Sequence, residues 1–154
     1  LAKNTAFKGM DGPISYAAGC SDGTYNNCSA FSAWYINNYT NGSKVPNYQG
    51  SEFVKRLLNN YPTEYTDGGK VPAVGAIMST GPYSGLSDDG WANHTAVVLA
   101  IDKANNKIYL GEASCSNGYN SNWPGVHEKT LSDYTNNPSP YGPTYAYPKS
   151  FKGF

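Results

Sequence analysis

The chain has 154 residues, enough for one domain that buries its own core. Eleven Lys plus Arg balance eleven Asp plus Glu to a formal net charge of zero, and no basic stripe of the kind that marks a nucleic-acid binder is present. No apolar run approaches the ~18 residues of a membrane-spanning helix.

Charged residues make up only 14% of the chain, against 14 tyrosines and 17 glycines. Hydrophilicity therefore comes from amides, hydroxyls and phenols, which suits a secreted protein that handles a polar polymer and, equally, a plain loop-rich extracellular domain. The cations Lys55 and Arg56, and Lys149 and Lys152 near the end, read as solvated surface. The sequence opens at Leu1 with no visible signal peptide, so a leader has been removed or the sequence is an excised piece, and export is the expectation. Three cysteines in an exported protein imply one disulfide and one free thiol. The preferred pairing is Cys20 with Cys115, leaving Cys28 free. The alternative joins Cys20 to Cys28 and leaves Cys115 as the active thiol.

In chain order, residues 1–24 are rich in Gly, Ser, Asn and Asp and read as a loop-rich N-terminal segment. Cys28 to Asn38 reads as a helix. Phe31, Trp34, Tyr35 and Asn38 recur at three- and four-residue steps, Trp34 is expected in the core, and Asn26 or Asn27 can supply the N-cap. After a glycine-bearing loop, Ser51 is a second candidate cap. Phe53, Val54, Leu57 and Leu58 form the stripe of a second helix, which Pro62 stops. The period then changes. Ala73 to Ser79 is a candidate strand. His94 to Asp102 is the strongest strand signal, and the turn Lys103-Ala-Asn-Asn106 joins it to a strand over Lys107 to Glu112 as a hairpin. Residues 115–154 read as a loop-rich C-terminal segment, in which Tyr145 to Tyr147 forms a closing edge strand limited by Pro148. Helices first and antiparallel strands afterwards predict a single α+β domain with N-terminal helices packed on a small antiparallel sheet.

A thiol attacks only as thiolate, and a free cysteine near pKa ~8.5 is mostly protonated at neutral pH. A helix N-terminus and a nearby imidazolium both lower that value. Cys28 stands at a helix start, whose backbone N–H groups also suit an oxyanion; Cys20 and Cys115 lie in loop-like sequence. Of two histidines, His94 opens the best strand. His127 sits in a polar stretch with no evident element to hold it and reads as structural or exposed. The imidazole needs a third, orienting residue. A hairpin loop of three or five residues sets Ser114 opposite His94 and Glu112 on the same face; a loop of two or four sets Cys115 there and turns Glu112 away. Glu112 leads as the orienter, with Ser114 or Asn117 behind it. The spacing of His and Cys matches no structural zinc site, the acidic residues no EF-hand loop, and the glycines no phosphate loop. No metal or cofactor is expected.

The segments NNCSAFSAWYI, VPAVGAIMS, NHTAVVLAI and KIYLGEAS, in that order from Tyr25 to Ser114, resemble the CHAP family of cysteine- and histidine-dependent amidohydrolases or peptidases. The resemblance implies a papain-like α+β fold and cleavage of an amide in bacterial peptidoglycan, either the bond from muramic acid to its stem peptide or one within the stem or cross-bridge. It implies Cys28 as nucleophile, His94 as general base then acid, and Glu112 as the orienting carboxylate. Where the family often carries an amide residue two positions after the acid, this chain has Ser114. Only Asp22 is acidic ahead of the cysteine, so the calcium site of some members is not expected. The Cys28 N–H and the Asn27 side chain would face the oxyanion, and Tyr25 and Trp91 would flank the cleft and stack on substrate. The expected protein is a secreted monomer acting on the cell wall. The other readings are an NlpC-type peptidase or toxin amidase and, from a different class, a noncatalytic wall-binding module whose aromatic residues hold glycan.

Overall fold

The structure is a computed structural model, and it describes residues 27–86, 93–113 and 125–153. Helix α1 spans Asn27–Tyr39. A 3-10 turn over Gly50–Glu52 leads directly into helix α2, Phe53–Asn60. Six strands follow: β1 (Tyr65–Gly69), β2 (Ile77–Thr80), β3 (His94–Asp102), β4 (Lys107–Glu112), β5 (Gly125–Thr130) and β6 (Thr144–Pro148). They form one antiparallel sheet in the order β1-β6-β2-β3-β4-β5. The protein is therefore an α+β domain, as the order of elements in the sequence predicts.

Both helices cover one face of the sheet. Phe31, Tyr35 and Ile36 of α1 and Phe53, Val54 and Leu57 of α2 pack against Ile77, Val97 and Leu99. Ala96, Val98, Ile108 and Leu110 point to the opposite face, where Met78, Tyr134 and Tyr145 complete a second apolar cluster. The period-two alternation along β3 thus sorts its side chains between two cores. Removing a fully buried ring such as Phe31 costs about 3–5 kcal/mol through lost transfer energy and the cavity left behind. Trp34 is half-buried and lies against the first cluster rather than inside it.

Three fastenings fix α1 and α2 relative to the strands. Thr95 Oγ1 donates to the Met78 carbonyl at 2.8 Å, so its oxygen must accept from Ser32 Oγ at 2.9 Å. Tyr35 donates to the Gly75 carbonyl at 2.8 Å. Gly75 has φ +90°, and a Cβ there would meet the Phe151 ring at 2.6 Å, so this turn ahead of β2 requires glycine. Ser51 does not cap α2. Instead Ser79 Oγ, on β2, accepts from the Val54 N–H at 2.9 Å and satisfies one of the helix's open N-terminal donors from across the interface.

Two parts of the C-terminal region depart from the expected loop. β6 is not an edge strand but lies between β1 and β2, and β5 is a paired strand along β4. The strand over Tyr145 to Tyr147 is present but internal, whereas β5 and β1 are hidden by composition. β5 reads Gly-Val-His-Glu-Lys-Thr, with one large apolar residue, because it pairs on its described side only with β4. β1 (Tyr-Thr-Asp-Gly-Gly) buries only Tyr65 and gives no period-two signal. Among the described residues no helix is long and apolar enough to cross a membrane.

Candidate functional site

Cys28 is the second residue of α1, and His94 is the first residue of β3. The Ser32–Thr95–Met78 hydrogen-bond chain seats this part of α1 against the start of β3. Ser32 lies one turn after Cys28, on the same side of the helix. Cys28, His94 and Glu112 are all buried, at 7%, 4% and 2% exposure.

His94 Nε2 lies 2.6 Å from Glu112 Oε1. The Cys28 thiol hydrogen-bonds the same imidazole, and also engages the backbone of Thr95 and the side chain of Ser29. With Nε2 committed to the carboxylate, Nδ1 is the nitrogen left for sulfur. The three charges support one another. Burial pushes the Cys28 thiol up, but the hydrogen bond and positive charge of His94, with the Thr95 and Ser29 bonds, hold it below its ordinary value of 9.0. Burial pushes His94 down, and the bonds and charges of Cys28 and Glu112 outweigh that and raise it to about 10. Burial likewise opposes the charge on Glu112, yet bonds from His127 and His94 and the charge on His94 hold its carboxyl well below the usual carboxylate range. The arrangement stores a thiolate and an imidazolium side by side, with a carboxylate behind the ring.

The hairpin register that places Glu112 contains both alternatives open in the sequence. Next to its four-residue turn the pairs are Asp102 with Lys107, Ile101 with Ile108 and Ala100 with Tyr109. A bulge at Leu99 then shifts the ladder, and Val98 pairs with Leu110 and Val97 with Gly111. That shift brings Glu112 to the face that His94 shares with Ala96 and Val98.

His127, which the sequence suggests is structural or exposed, belongs to this cluster. It lies on β5, opposite Leu110 of β4, and its Nδ1 is 2.9 Å from Glu112 Oε2. The one signal available was the alternation Val126-His127-Glu128-Lys129, too short and too polar to separate from loop. Thr80, at the end of β2, pairs directly with His94, and its Oγ1 is buried without a hydrogen-bond partner. Gly50 packs against the same strand start. A Cβ on it would stand 2.9 Å from the His94 carbonyl carbon and 3.0 Å from its Cα.

Ser114, Asn117, Tyr25, Trp91, Cys20, Cys115 and Asp22 lie outside the described residues, as does the side chain of Asn27. Cys28 is a free thiol. No group of three His, Cys, Asp or Glu among the described residues is arranged to hold a metal ion.

An α+β domain in which a helix-start cysteine meets an imidazole–carboxylate pair on a sheet has the makings of a hydrolase. The CHAP domain matches residues 19–114, well over half of the chain, and the chain belongs to the CHAP family. That membership brings activity of the peptidoglycan hydrolase or amidase type and peptidoglycan as the substrate class. No curated protein and no solved structure matches the chain significantly.

Proposed function

We propose that the protein is a secreted cysteine hydrolase that cuts an amide bond of bacterial peptidoglycan, either N-acetylmuramoyl-L-alanine or a bond of the stem or cross-bridge, through a thioester on Cys28. The observation that carries this reading is the 2.6 Å contact between buried His94 and Glu112 beside a thiol that shares the same imidazole. The Cys28 sulfur forms a bond to the amide carbonyl carbon, and the carbonyl electrons move onto oxygen, facing the Cys28 N–H and Asn27. The carbonyl then re-forms as the C–N bond breaks, and His94 gives its proton to the departing nitrogen. Neutral His94 next takes a proton from water, the hydroxide adds to the thioester, and the C–S bond breaks to return the thiolate. Glu112 holds the ring and its positive charge throughout.

The whole chain acts as one catalytic unit in this reading. The succession of helix-borne cysteine, strand-borne histidine and a carboxylate on the next strand is that of a papain-like core. Tyr25 and Trp91, which flank Cys28 and His94 in sequence at three residues' distance, would stack on substrate.

The test is clearing of purified peptidoglycan by the parent and by Cys28→Ala, with mass analysis of the soluble products. The parent should release fragments bearing one new amine and one new carboxyl end, and the variant none while still binding wall. Equal clearing by both would make Cys28 a bystander. Binding without clearing by the parent would favour a wall-binding module.

A further inference from the structure

We infer that His127 is a positioning residue of this site, whose Nδ1–H holds the Glu112 carboxylate with its other oxygen turned toward His94. The inference rests on the cysteine-hydrolase reading above and adds a member to it.

Glu112 bridges two imidazoles. Its Oε1 is 2.6 Å from His94 Nε2 and its Oε2 is 2.9 Å from His127 Nδ1. An ionised carboxylate can only accept, so His127 must carry its proton on Nδ1. The contact follows from the strand register. Glu112 pairs with Gly125 and Leu110 with His127, so His127 is the diagonal neighbour of Glu112 on one face. Gly125, directly opposite Glu112, has no side chain to stand between Glu112 and His127.

A carboxylate's terminal torsion is broad, so one hydrogen bond leaves the group free to swing. With the Glu112 side chain only 3% exposed, no solvent would fix the second oxygen, and a bare buried oxygen would be costly. The bond from His127 removes both problems. The His94 and Glu112 side chains are 6% and 3% exposed, and that of His127 is 17% exposed. Of these three side chains, His127 is the nearest to solvent. Among the described residues, the charged and titratable groups that act on the Glu112 carboxylate are His127 and Lys129 from β5 and His94 from β3. Glu128, on the opposite face of β5, is paired at 3.3 Å with Lys107.

The experiment compares the parent with His127→Ala and His127→Asn, the second of which keeps an N–H donor close to the place of Nδ1. Two readouts are taken against pH: the rate of Cys28 alkylation by iodoacetamide, which needs no substrate, and kcat/KM on purified peptidoglycan. In His127→Ala a swinging Glu112 supports the imidazolium less. The alkylation midpoint should rise and the alkaline limb of kcat/KM should fall, each by about one pH unit, with kcat down about tenfold and KM unchanged. His127→Asn should recover most of both shifts. A merely structural bond would lower Tm and leave the two midpoints in place, which would overturn the inference, as would an Asn variant no better than Ala. If the parent releases no wall fragments but its alkylation midpoint still moves in His127→Ala, the positioning role stands and the wall reading falls.

Discussion

His94 and Glu112 touch at 2.6 Å across two strands that a regular hairpin would have kept apart. With the register of the turn carried to the end, Glu112 would pair with Val97 and point into the core under α1. The bulge at Leu99 adds one residue to β3 and returns Glu112 to the His94 face. The carboxylate is thus placed by backbone, and its charge can be removed without disturbing the placement. Glu112→Gln keeps the shape but offers one acceptor oxygen where two imidazoles each present a nitrogen. One imidazole must switch tautomer to accept from the amide NH2, and His94 loses its counter-charge. We expect kcat/KM on peptidoglycan to fall about a thousandfold with the fold retained by circular dichroism. A loss below tenfold would mean that the carboxylate does not orient His94.

The same three charges set how activity and stability respond to pH. Activity should be lost on the acid side as Cys28 takes up its proton, below the ordinary 9.0, and on the alkaline side as His94 gives up its own near 10. For stability, Glu112 has its folded pKa depressed from 4.5, so its contribution is present above that value and is lost as pH falls below it. His94 is raised from 6.5 to about 10, so its contribution is complete below 6.5 and is lost as pH rises through about 10. Cys28, depressed from 9.0, contributes fully above that value and less as pH falls below it. Urea midpoints measured from about pH 3 to 11 should drop at both ends in the parent, and both drops should shrink in Glu112→Gln.

Much of this was legible in the chain because it lay in strong local patterns. Residues His94–Asp102 and Lys107–Glu112 were bounded to the residue, since nine and six residues of β-forming sequence flank an obvious turn. Cys28 stood out from three thiols by its helix start. The bulge was not legible. Nothing in Val-Val-Leu-Ala-Ile marks where a residue is extra, and that single residue decides which way Glu112 faces. Nor was β5, whose hydrogen bonds to β4 come from backbone that any polar sequence can supply. His127 was missed with it, because its partner is 15 positions away and on another strand. Ser79, rather than Ser51, engages the start of α2 for the same reason: the contact is made in three dimensions.

Gly50 shows how tightly the strand start is held. The nearest atoms to an added Cβ are main chain of His94, which cannot rotate aside as a side chain could. Gly50→Ala must push the His94 backbone away from residue 50. Overpacking of this kind costs about 1–3 kcal/mol, and displacing base from nucleophile by part of an ångström lowers the rate toward the hundredfold loss that about 1 Å would cause. The variant should therefore lose Cys28 alkylation near neutral pH more severely than its lowered Tm explains. Full alkylation at parental rate would show that the strand start yields without moving the ring.

Thr80 presents the opposite case, a group whose removal should help. It pairs with His94 across β2 and β3 and is 1% exposed, yet its hydroxyl finds no partner, while both nitrogens of the neighbouring imidazole are already engaged. A buried hydroxyl without a bond has given up water and gained nothing, a penalty of about 1–3 kcal/mol. Valine has nearly the same shape and the β-branching that a strand favours. Thr80→Val should therefore stabilise the protein by about 1 kcal/mol, which corresponds to roughly 2–4 °C in Tm for a chain of this size. Threonine's ladder bonds are backbone and survive the change. A fall in Tm in Thr80→Val would mean that the hydroxyl is satisfied in solution, for instance by a bound water bridging it toward His94.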